Sequence, residues 1–401
     1  MFLLKSAWDN IRFHGKRSIL SILLIAIASG AILLYRGFVE YSEQGMALGF
    51  IKTSGHIQIS RASADGTTES ESLLTAADLD SLKFIFATTP HVSAYDAVLR
   101  VQGIIGTEER SALFWGAGYD APQKFGATAG KPVFAGEQGL VIGKDLFKTL
   151  NLDSVQPASV NIMSSIGQSG FLTGSFDVSG YLDTGVPQND AGFVIASRSA
   201  LLDFFELEDS ASYIRLFLQK DSDMPAVQTY LDRYFAEHGV PFQTKNWKTL
   251  NPSWEQISGL FNAQFTVISG ILCMLIFVAL TQSLSASFME RIGEFGTMEA
   301  IGLKKSSLIG MLVLEVCFLS LAGIIGGILF AQSGNILTEI FHITMVPPGY
   351  SKGYRLHFYI TAPAILRTQC FIFLTVVISV FYPIYTILKH ETVQLIHYNG
   401  S

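Results

Sequence analysis

The chain has 401 residues, of which 49% are hydrophobic and only 15% are charged, and its formal net charge is −6. A charged share so far below the roughly 25% of ordinary soluble domains indicates a membrane protein, and 12% aromatic residues exclude intrinsic disorder. The negative net charge excludes a nucleic-acid binder. The three cysteines lie in apolar runs, so the sequence offers neither a disulfide framework nor a Cys-x-x-Cys metal site.

Four apolar stretches are each long enough to cross a hydrocarbon core of about 30 Å as a helix of about 20 residues. One precedes a long hydrophilic segment and three follow it, which predicts a membrane protein with four transmembrane helices (1 + 3) and a large α+β extracytoplasmic domain between helices 1 and 2. The predicted boundaries are a cytoplasmic amphipathic lead-in at 1–17, spans at 18–41, 263–288, 308–331 and 358–388, the extracytoplasmic (periplasmic) domain at 42–262, a cytoplasmic helix at 289–307, a short outer loop at 332–357 and a cytoplasmic tail at 389–401.

The first apolar stretch has an alternative interpretation as a cleaved signal peptide. Basic residues precede it, and Ala26-Ile27-Ala28 resembles a small-x-small cleavage site. The apolar run nevertheless continues through Ile32, Leu33 and Leu34, where a signal peptide would turn polar. The pattern therefore favours an uncleaved membrane anchor.

Basic residues near the ends of the spans set the expected orientation. The N-terminal 17 residues carry four Lys/Arg against one acid, Lys304 and Lys305 lie between the second and third spans, and Lys389 follows the fourth. Four crossings put these positions on one side, so both termini are expected in the cytoplasm of a bacterial inner membrane. Lys352 and Arg355, in the short outer loop, are exceptions to this pattern.

The hydrophilic segment from 42 to 262 has 15 Lys/Arg and 25 Asp/Glu, a net of −10, which is typical of a soluble surface. Alternation at 55–60 and 213–219 predicts strands, and a capping-box pattern at Thr75 and Asp78 predicts a helix to about Thr88. A further helix is predicted at 224–237, with Val227, Tyr230, Leu231 and Tyr234 on one face. The segment carries no catalytic motif that we recognise, so the sequence gives no reason to expect an enzyme.

The loop after the second span mixes charged and apolar residues. As a helix it would place Arg291, Phe295, Met298 and Glu299 at i, i+4, i+7 and i+8, on one stripe. Such a stripe suits a groove on another protein, and a solvated connector between two spans is the alternative.

Residues 289–303, Met-Glu-Arg-Ile-Gly-Glu-Phe-Gly-Thr-Met-Glu-Ala-Ile-Gly-Leu, resemble the coupling-helix signature of the permease superfamily that contains MacB, FtsX, LolC and LolE. The resemblance extends to the lead-in from Trp8 to Ser18, to the end from Tyr382 to Ile396, and to segments 139–152 and 176–185. The chain departs from the pattern at Glu391-Thr392, where Pro is common. The segments Gly55-His-Ile-Gln-Ile and Trp247 to Pro252 look most like the lipoprotein-releasing (LolC/LolE-like) branch.

This resemblance implies a non-catalytic permease subunit of an ABC transporter, which binds no cofactor itself. The sequence has no Walker A motif, so ATP and Mg²⁺ would bind to a separate cytoplasmic ABC ATPase dimer. Movement of that ATPase would reach the extracytoplasmic domain through the coupling helix and the first two spans. The residues expected to couple to the ATPase are Glu290, Arg291, Glu294, Phe295, Met298, Glu299, Leu303 and Lys304.

The lipoprotein-releasing branch implies a lipoprotein or other amphiphilic substrate, a second permease subunit in a homo- or heterodimer, and a periplasmic carrier. The acyl chains would lie between spans one and two in a groove lined by Phe38, Met46, Phe50, Leu260, Phe261 and Phe265. Anchoring of these aromatic residues at the membrane interface is the alternative. Two other functions remain open: MacB-like efflux, and FtsX-like transmission that activates an extracytoplasmic hydrolase without transport.

The third span has two features of its own. Gly323 and Gly327 are spaced for close helix packing, which we expect within one subunit. Glu315 would be costly in lipid, so we expect it beside a polar neighbour such as Ser283 or Ser285, or near the cytoplasmic interface.

Overall fold

The computed structural model describes residues 15–62, 72–152, 158–166, 170–346 and 351–388. The predicted lead-in before residue 15 and the predicted tail after 388 lie outside these ranges. Contacts divide the chain into two units. We call them the helical unit (Met1–Gly45, Gln256–Met345 and Arg355–Ser401) and the sheet unit (Met46–Glu255 and Val346–Tyr354).

The described helices and strands follow one another along the chain in this order: α1 (Gly15–Ser54), β1 (Ile57–Arg61), α2 (Ala76–Thr88), β2 (Val92–Gly106), β3 (Ser111–Tyr119), β4 (Ala129–Gly130), β5 (Gly139–Gly143), α3 (Lys144–Thr149), β6 (Ala158–Ser164), β7 (Leu172–Leu182), α4 (Pro187–Asp190), β8 (Phe193–Ser197), α5 (Arg198–Phe204), β9 (Tyr213–Leu218), α6 (Met224–His238), β10 (Phe242–Asn246), α7 (Trp247–Leu250), α8 (Pro252–Glu290), α9 (Ile292–Ala300), α10 (Lys305–Ile340), β11 (Thr344–Met345), β12 (Tyr354–Arg355), α11 (Ala362–Ser379) and α12 (Phe381–Leu388).

Four helical segments of the described chain are long and apolar enough to cross a membrane: Ser18–Ser54, Pro252–Glu290, Lys305–Ile340 and Ala362–Thr386. One precedes the sheet unit and three follow most of it, so the predicted arrangement of one plus three spans is confirmed. The fourth segment begins at Ala362, because Pro363 is tolerated in the first turn of a helix but not in its interior.

Helices α1 and α8 extend well beyond the predicted spans. They run unbroken for 40 and 39 residues, which at 1.5 Å per residue is about 60 Å each. Residues 46–54 of α1 and 252–255 of α8 belong to the sheet unit. Each of the two helices therefore contributes residues to both units.

Small residues bring α10 close to α1 within the helical unit. A Cβ added at Gly323 would lie 2.6 Å from the Cβ of Ile25, and one added at Gly327 would lie 2.3 Å from the Oγ of Ser29. The expected packing of these glycines within one chain is thus confirmed. Ser29 also donates a hydrogen bond of 2.7 Å to the Oε1 of Gln369, which ties α1 to α11.

The sheet unit is built on ten strands in the order β10-β1-β9-β2-β3-β8-β5-β7-β4, with β6 paired to β2 and β7. The pairs β3–β8 and β5–β7 are parallel, and the other described pairs are antiparallel. One apolar core lies between α2, α6 and the β1–β9 part of the sheet, and a second packs α3 and α5 on the remaining strands. These helices and strands confirm the predicted α+β domain.

Helices α2 and α6 of the sheet unit were both predicted from local sequence patterns. Thr75 and Asp78 form a complete capping box, with the N–H of each donating to the side chain of the other, and α2 ends at Thr88 as predicted. Of the four side chains predicted on one face of α6, Val227 and Leu231 are buried and Tyr234 is half-buried, whereas Tyr230 is 41% exposed. The buried side chains of α6 are Met224, Val227, Leu231 and Phe235.

A segment of the predicted loop 332–357 is fastened to the sheet unit. The carboxylate of Asp183 accepts Lys144 Nζ at 2.8 Å and Lys352 Nζ at 3.1 Å, and Ser351 N–H donates to the carbonyl of Gly185 at 2.7 Å. The hydrogen bond from Lys144 is the main cause that lowers the pKa of Asp183 to about 2, and Lys352 adds to it. The side chain of Asp183 is only 5% exposed, whereas those of Lys144 and Lys352 are 38% and 52% exposed, so solvent reaches the cationic ends of these contacts.

Candidate functional site

The segment between α8 and α10 contains the residues predicted to couple to an ATPase. Helix α8 ends at Glu290, and α9 starts after Arg291, whose N–H donates to the carbonyl of Phe288 at 3.2 Å. The structure divides the eight predicted residues by exposure. Arg291 and Phe295 are buried, Met298, Glu299 and Leu303 are half-buried, and Glu290, Glu294 and Lys304 are exposed.

Arg291 points into the helical unit, where it meets Glu315 of α10. Its Nη1 donates to both carboxylate oxygens, at 3.1 and 3.2 Å, and its guanidinium lies 5.1 Å from the ring centroid of Phe295. Arg291 is 2% exposed and Phe295 0%, so neither is on the surface that a partner protein would contact. The partner of Glu315 is this arginine and not one of the expected serines. A buried carboxylate without a partner is costly, and an opposite charge that also donates hydrogen bonds offsets that cost.

Ile301, which follows the last turn of α9, is not among the residues predicted to couple to an ATPase. This side chain is 88% exposed, a larger fraction than that of any other large hydrophobic residue in the described ranges. The adjacent Gly302 has φ +102°, a conformation that a residue with a Cβ rarely adopts, and it turns the chain towards α10. The only signal in the sequence was an apolar residue before a glycine at a helix end.

An aromatic cluster joins α1 to α8 and includes three of the residues predicted to line a groove. Phe38 meets Phe261 edge to face at 6.3 Å between ring centroids, and Tyr35 stacks between Phe38 and Phe265 at 6.3 and 5.9 Å. Tyr35 was not among the predicted residues. All four rings are half-buried, and the predicted Leu260 is 58% exposed.

Polar contacts fix α1 and α8 to one another beside this cluster. Arg36 donates to the Oδ1 of Asn262 at 3.1 Å and lies 5.5 Å from the ring centroid of Phe265. The Oε1 of Glu43 accepts hydrogen bonds from Ser258 Oγ at 2.6 Å and from Asn262 Nδ2 at 2.8 Å. The two helices are therefore held in register by hydrogen bonds as well as by ring contacts.

The other two predicted groove residues, Met46 and Phe50, belong to the sheet unit. Phe50 lies 6.3 Å from Trp247 and 6.5 Å from Trp254, measured between ring centroids, and it packs on the apolar core of that unit. The ring contacts of Phe50 are therefore with the sheet unit and not with the aromatic cluster of Tyr35, Phe38, Phe261 and Phe265.

The potential metal ligands within the described ranges are His, Cys, Asp and Glu side chains. Among the residues of those ranges there is no group of three or more such side chains that could hold a metal ion.

The overall architecture defines a multi-pass membrane protein with a large β-rich domain inserted after its first span. Comparison with protein families agrees: residues 18–234 match the MacB-like periplasmic core domain, and residues 266–392 match the FtsX-like permease C-terminal family. The first match alone spans more than half of the chain. The protein therefore belongs to the MacB/FtsX permease superfamily, whose members are membrane components of ABC transporters and partner with cytoplasmic ABC ATPases.

Three solved structures are similar to parts of this chain. The periplasmic region of MacB from Actinobacillus actinomycetemcomitans has 15% identity and a TM-score of 0.36, and the match covers 51% of this chain and 95% of that one. The extracellular domain of the ABC-type transporter YknZ from Gram-positive bacteria has 15% identity and a TM-score of 0.34, with 47% and 99% covered. A domain of a putative permease from Porphyromonas gingivalis has 10% identity and a TM-score of 0.28, with 47% and 85% covered. Comparison with curated proteins gives no match.

Proposed function

We propose that this chain is the permease subunit of an ABC transporter that releases lipidated proteins from the outer leaflet of a bacterial inner membrane, with both of its termini in the cytoplasm. The observation that carries the proposal is the continuity of α1 and α8, two helices of about 60 Å that are bonded to each other and contribute residues to both units. An unbroken helix is stiff, so a displacement at one end reaches the other. The proposed mechanism is mechanical transmission rather than passage through a pore.

The ATPase would act on the exposed side of the α9 segment. Glu290, Glu294 and Lys304 supply charges there and Ile301 supplies an apolar contact, a mixture typical of a docking surface. The buried pair of Arg291 and Glu315 fastens α9 to α10, so movement of the docked segment is passed into the helical unit. ATP and Mg²⁺ belong to the ATPase in this scheme, and no cofactor is assigned to this chain.

The acyl chains of the substrate would contact the aromatic cluster of α1 and α8. Each CH₂ group removed from water contributes about 0.8 kcal/mol, so an apolar groove can hold a lipid anchor only where it excludes water. The half-buried rings of Phe38, Phe261 and Phe265 offer such a surface, and exposed Leu260 extends it. A second permease subunit would close the groove from the other side, and a periplasmic carrier would receive the released protein.

A photo-crosslinking amino acid at Phe261 tests this function in native membranes that contain the complete complex. The matched control is the same amino acid at Phe371 of α11, an apolar aromatic position that is 56% exposed and outside the cluster. We expect Phe261 to capture a lipidated protein without nucleotide and to lose it when ATP is added. The control position should capture phospholipid only.

Equal capture of phospholipid at both positions, unchanged by ATP, would contradict lipoprotein release. The remaining functions would then be efflux of another amphiphile or activation of an extracytoplasmic hydrolase without transport. Mass spectrometry of the material bound in the purified complex distinguishes these two, because only efflux predicts a bound small molecule.

A further inference from the structure

A buried arginine of the sheet unit holds the C-terminal end of α1. Arg215, on β9, is 3% exposed, and its Nη1 donates to the carbonyl oxygens of Thr53 at 2.9 Å and Lys52 at 3.4 Å. The last carbonyl groups of a helix lack partners within the helix and carry partial negative charge. Arg215 therefore satisfies two of these groups and opposes their charge.

The guanidinium of Arg215 is also paired with a carboxylate of the sheet unit. Its Nη2 forms an ion pair with Asp96, and the other carboxylate oxygen of Asp96 accepts the N–H of Asp120 at 3.3 Å. The Nε of Arg215 has no hydrogen-bond partner among the described residues. Burial raises the pKa of Tyr119, whose ring centroid is 4.4 Å from the guanidinium carbon, so this phenol stays neutral and adds no second negative charge.

Arg215 lines a cavity of about 250 Å³ in the sheet unit, together with two lysines. Lys52 and Lys124 are both exposed, and no ion pair joins either of them to an acidic residue in the described chain. The lining thus carries three cationic side chains and one carboxylate, that of Asp96. This excess of positive charge lies in a segment whose overall net charge is −10, with 15 Lys/Arg against 25 Asp/Glu.

The remainder of the cavity wall is apolar and aromatic. Phe125 and Phe217 lie with ring centroids 5.4 Å from the carbon of the Arg215 guanidinium, and both line the cavity with Tyr95 and two alanines. Apolar walls lower the local dielectric and so strengthen the attraction between the cations and a bound anion. Small-molecule sites commonly combine such walls with a few convergent polar groups.

We propose that this cavity binds a small anionic group of the phosphate class, held by Lys52 and Lys124 at its mouth beside Arg215. The anion would lie beside the end of α1 that Arg215 holds, so its binding would stabilise the junction of this helix with the sheet. Phosphate groups occur both as free anions and in lipid headgroups. The site is independent of the function proposed above, because it requires neither the ATPase nor a lipidated protein.

Isothermal titration calorimetry on the purified full chain in an uncharged detergent tests the site with two probes, inorganic phosphate and dihexanoylphosphatidylglycerol. The test variant carries Lys52→Gln and Lys124→Gln, which leaves Arg215 and its contacts to α1 intact. The control variant carries Lys83→Gln and Lys220→Gln, which removes the same charge from exposed positions that do not line the cavity. Dihexanoylphosphatidylcholine serves as a headgroup with no net charge.

We expect saturable binding of at least one anionic probe, weakened at least about tenfold in the Lys52/Lys124 variant and unchanged in the control, since two Coulomb attractions are lost. Binding should also weaken as salt is added. Similar affinity for both anionic probes identifies a free anion, and binding of the lipid probe alone identifies a lipid headgroup. Absence of saturable binding, equal loss in both variants, or equal affinity for the neutral lipid would overturn the proposal.

Discussion

Removal of Arg291 is expected to destabilise the helical unit strongly, because it leaves the carboxylate of Glu315 buried and unpaired. The wild-type carboxylate is 7% exposed and accepts two bonds from one guanidinium nitrogen, at 3.1 and 3.2 Å. Loss of one partner from a buried ion pair costs about 3–5 kcal/mol. With about 2–4 °C per kcal/mol in domains of comparable size, Arg291→Ala should lower the melting temperature by about 6–20 °C.

Removal of both charges should restore most of this stability. Apolar replacement of a whole buried pair is often neutral, so Arg291→Met combined with Glu315→Leu should melt within a few degrees of wild type. The matched control is Glu299→Gln, which breaks the longer and more exposed contact to Lys305 at 3.5 Å. An exposed pair of this kind contributes about 0–1 kcal/mol.

A thiol-reactive dye provides an assay specific to the helical unit. All three cysteines lie there, at 273, 317 and 370, and only Cys370 is exposed in the folded chain. Cys370 is on the outer surface of a membrane-spanning helix, so heating should give a cooperative rise in signal from Cys273 and Cys317 as the unit opens, above the signal from Cys370. A stabilising role of the buried ion pair is refuted if Arg291→Ala melts no lower than the control, or if the double variant melts as low as Arg291→Ala alone.

Three further predictions concern coupling, topology and pH. Glu290→Lys combined with Glu294→Lys should uncouple ATP hydrolysis from substrate release while changing the free energy of unfolding by about 1 kcal/mol, since both side chains are exposed and the 3.5 Å ion pair of Glu294 with Arg291 is lost. In a cysteine-free background, Ser222→Cys should react with an impermeant thiol reagent in intact spheroplasts, and Ser306→Cys should not, although both positions are exposed. Asp183→Asn should lower the melting temperature at neutral pH, and the difference from wild type should disappear as the pH falls from about 4 to 2. The pKa of Asp183 is about 2 in the folded chain and 3.8 ordinarily. Its contribution to stability is therefore complete above pH 3.8 and lost below pH 2.

Each of these predictions has a control and a contradicting result. If the Glu290/Glu294 variant still couples ATP hydrolysis to substrate release at the wild-type rate, the α9 segment only connects two spans and does not dock on the ATPase. Labelling of Ser306→Cys from outside would reverse the topology, and labelling of both cysteines in permeabilised cells shows that each is reactive. A difference between wild type and Asp183→Asn that is lost already near pH 6 would assign the stabilisation to another titrating group.

The sequence alone determined the features that depend on neighbouring residues. A span must be an uninterrupted apolar run, because lipid offers no partner for backbone polar groups, so four such runs predicted four membrane helices. The capping box at Thr75 and Asp78 predicted the start of α2, since both of its hydrogen bonds form within four residues. The resemblance carried by residues 289–303 indicated the superfamily to which the chain belongs.

Only the tertiary structure decided which face of each element is buried. Helical spacing put Arg291 and Phe295 on one stripe, but whether that stripe met a partner or the interior depended on Glu315, which lies on another helix. Ile301 shows the opposite case, an apolar residue left 88% exposed.

Two phenylalanines of α1, Phe38 and Phe50, were predicted to line one groove, but they pack against different parts of the fold. Phe38 joins Phe261 of α8, whereas Phe50 packs on Trp247 in the core of the sheet unit. Their partners lie about two hundred residues away along the chain. Periodicity records which side chains of one element share a face, but the burial of that face is set by elements that only folding brings together.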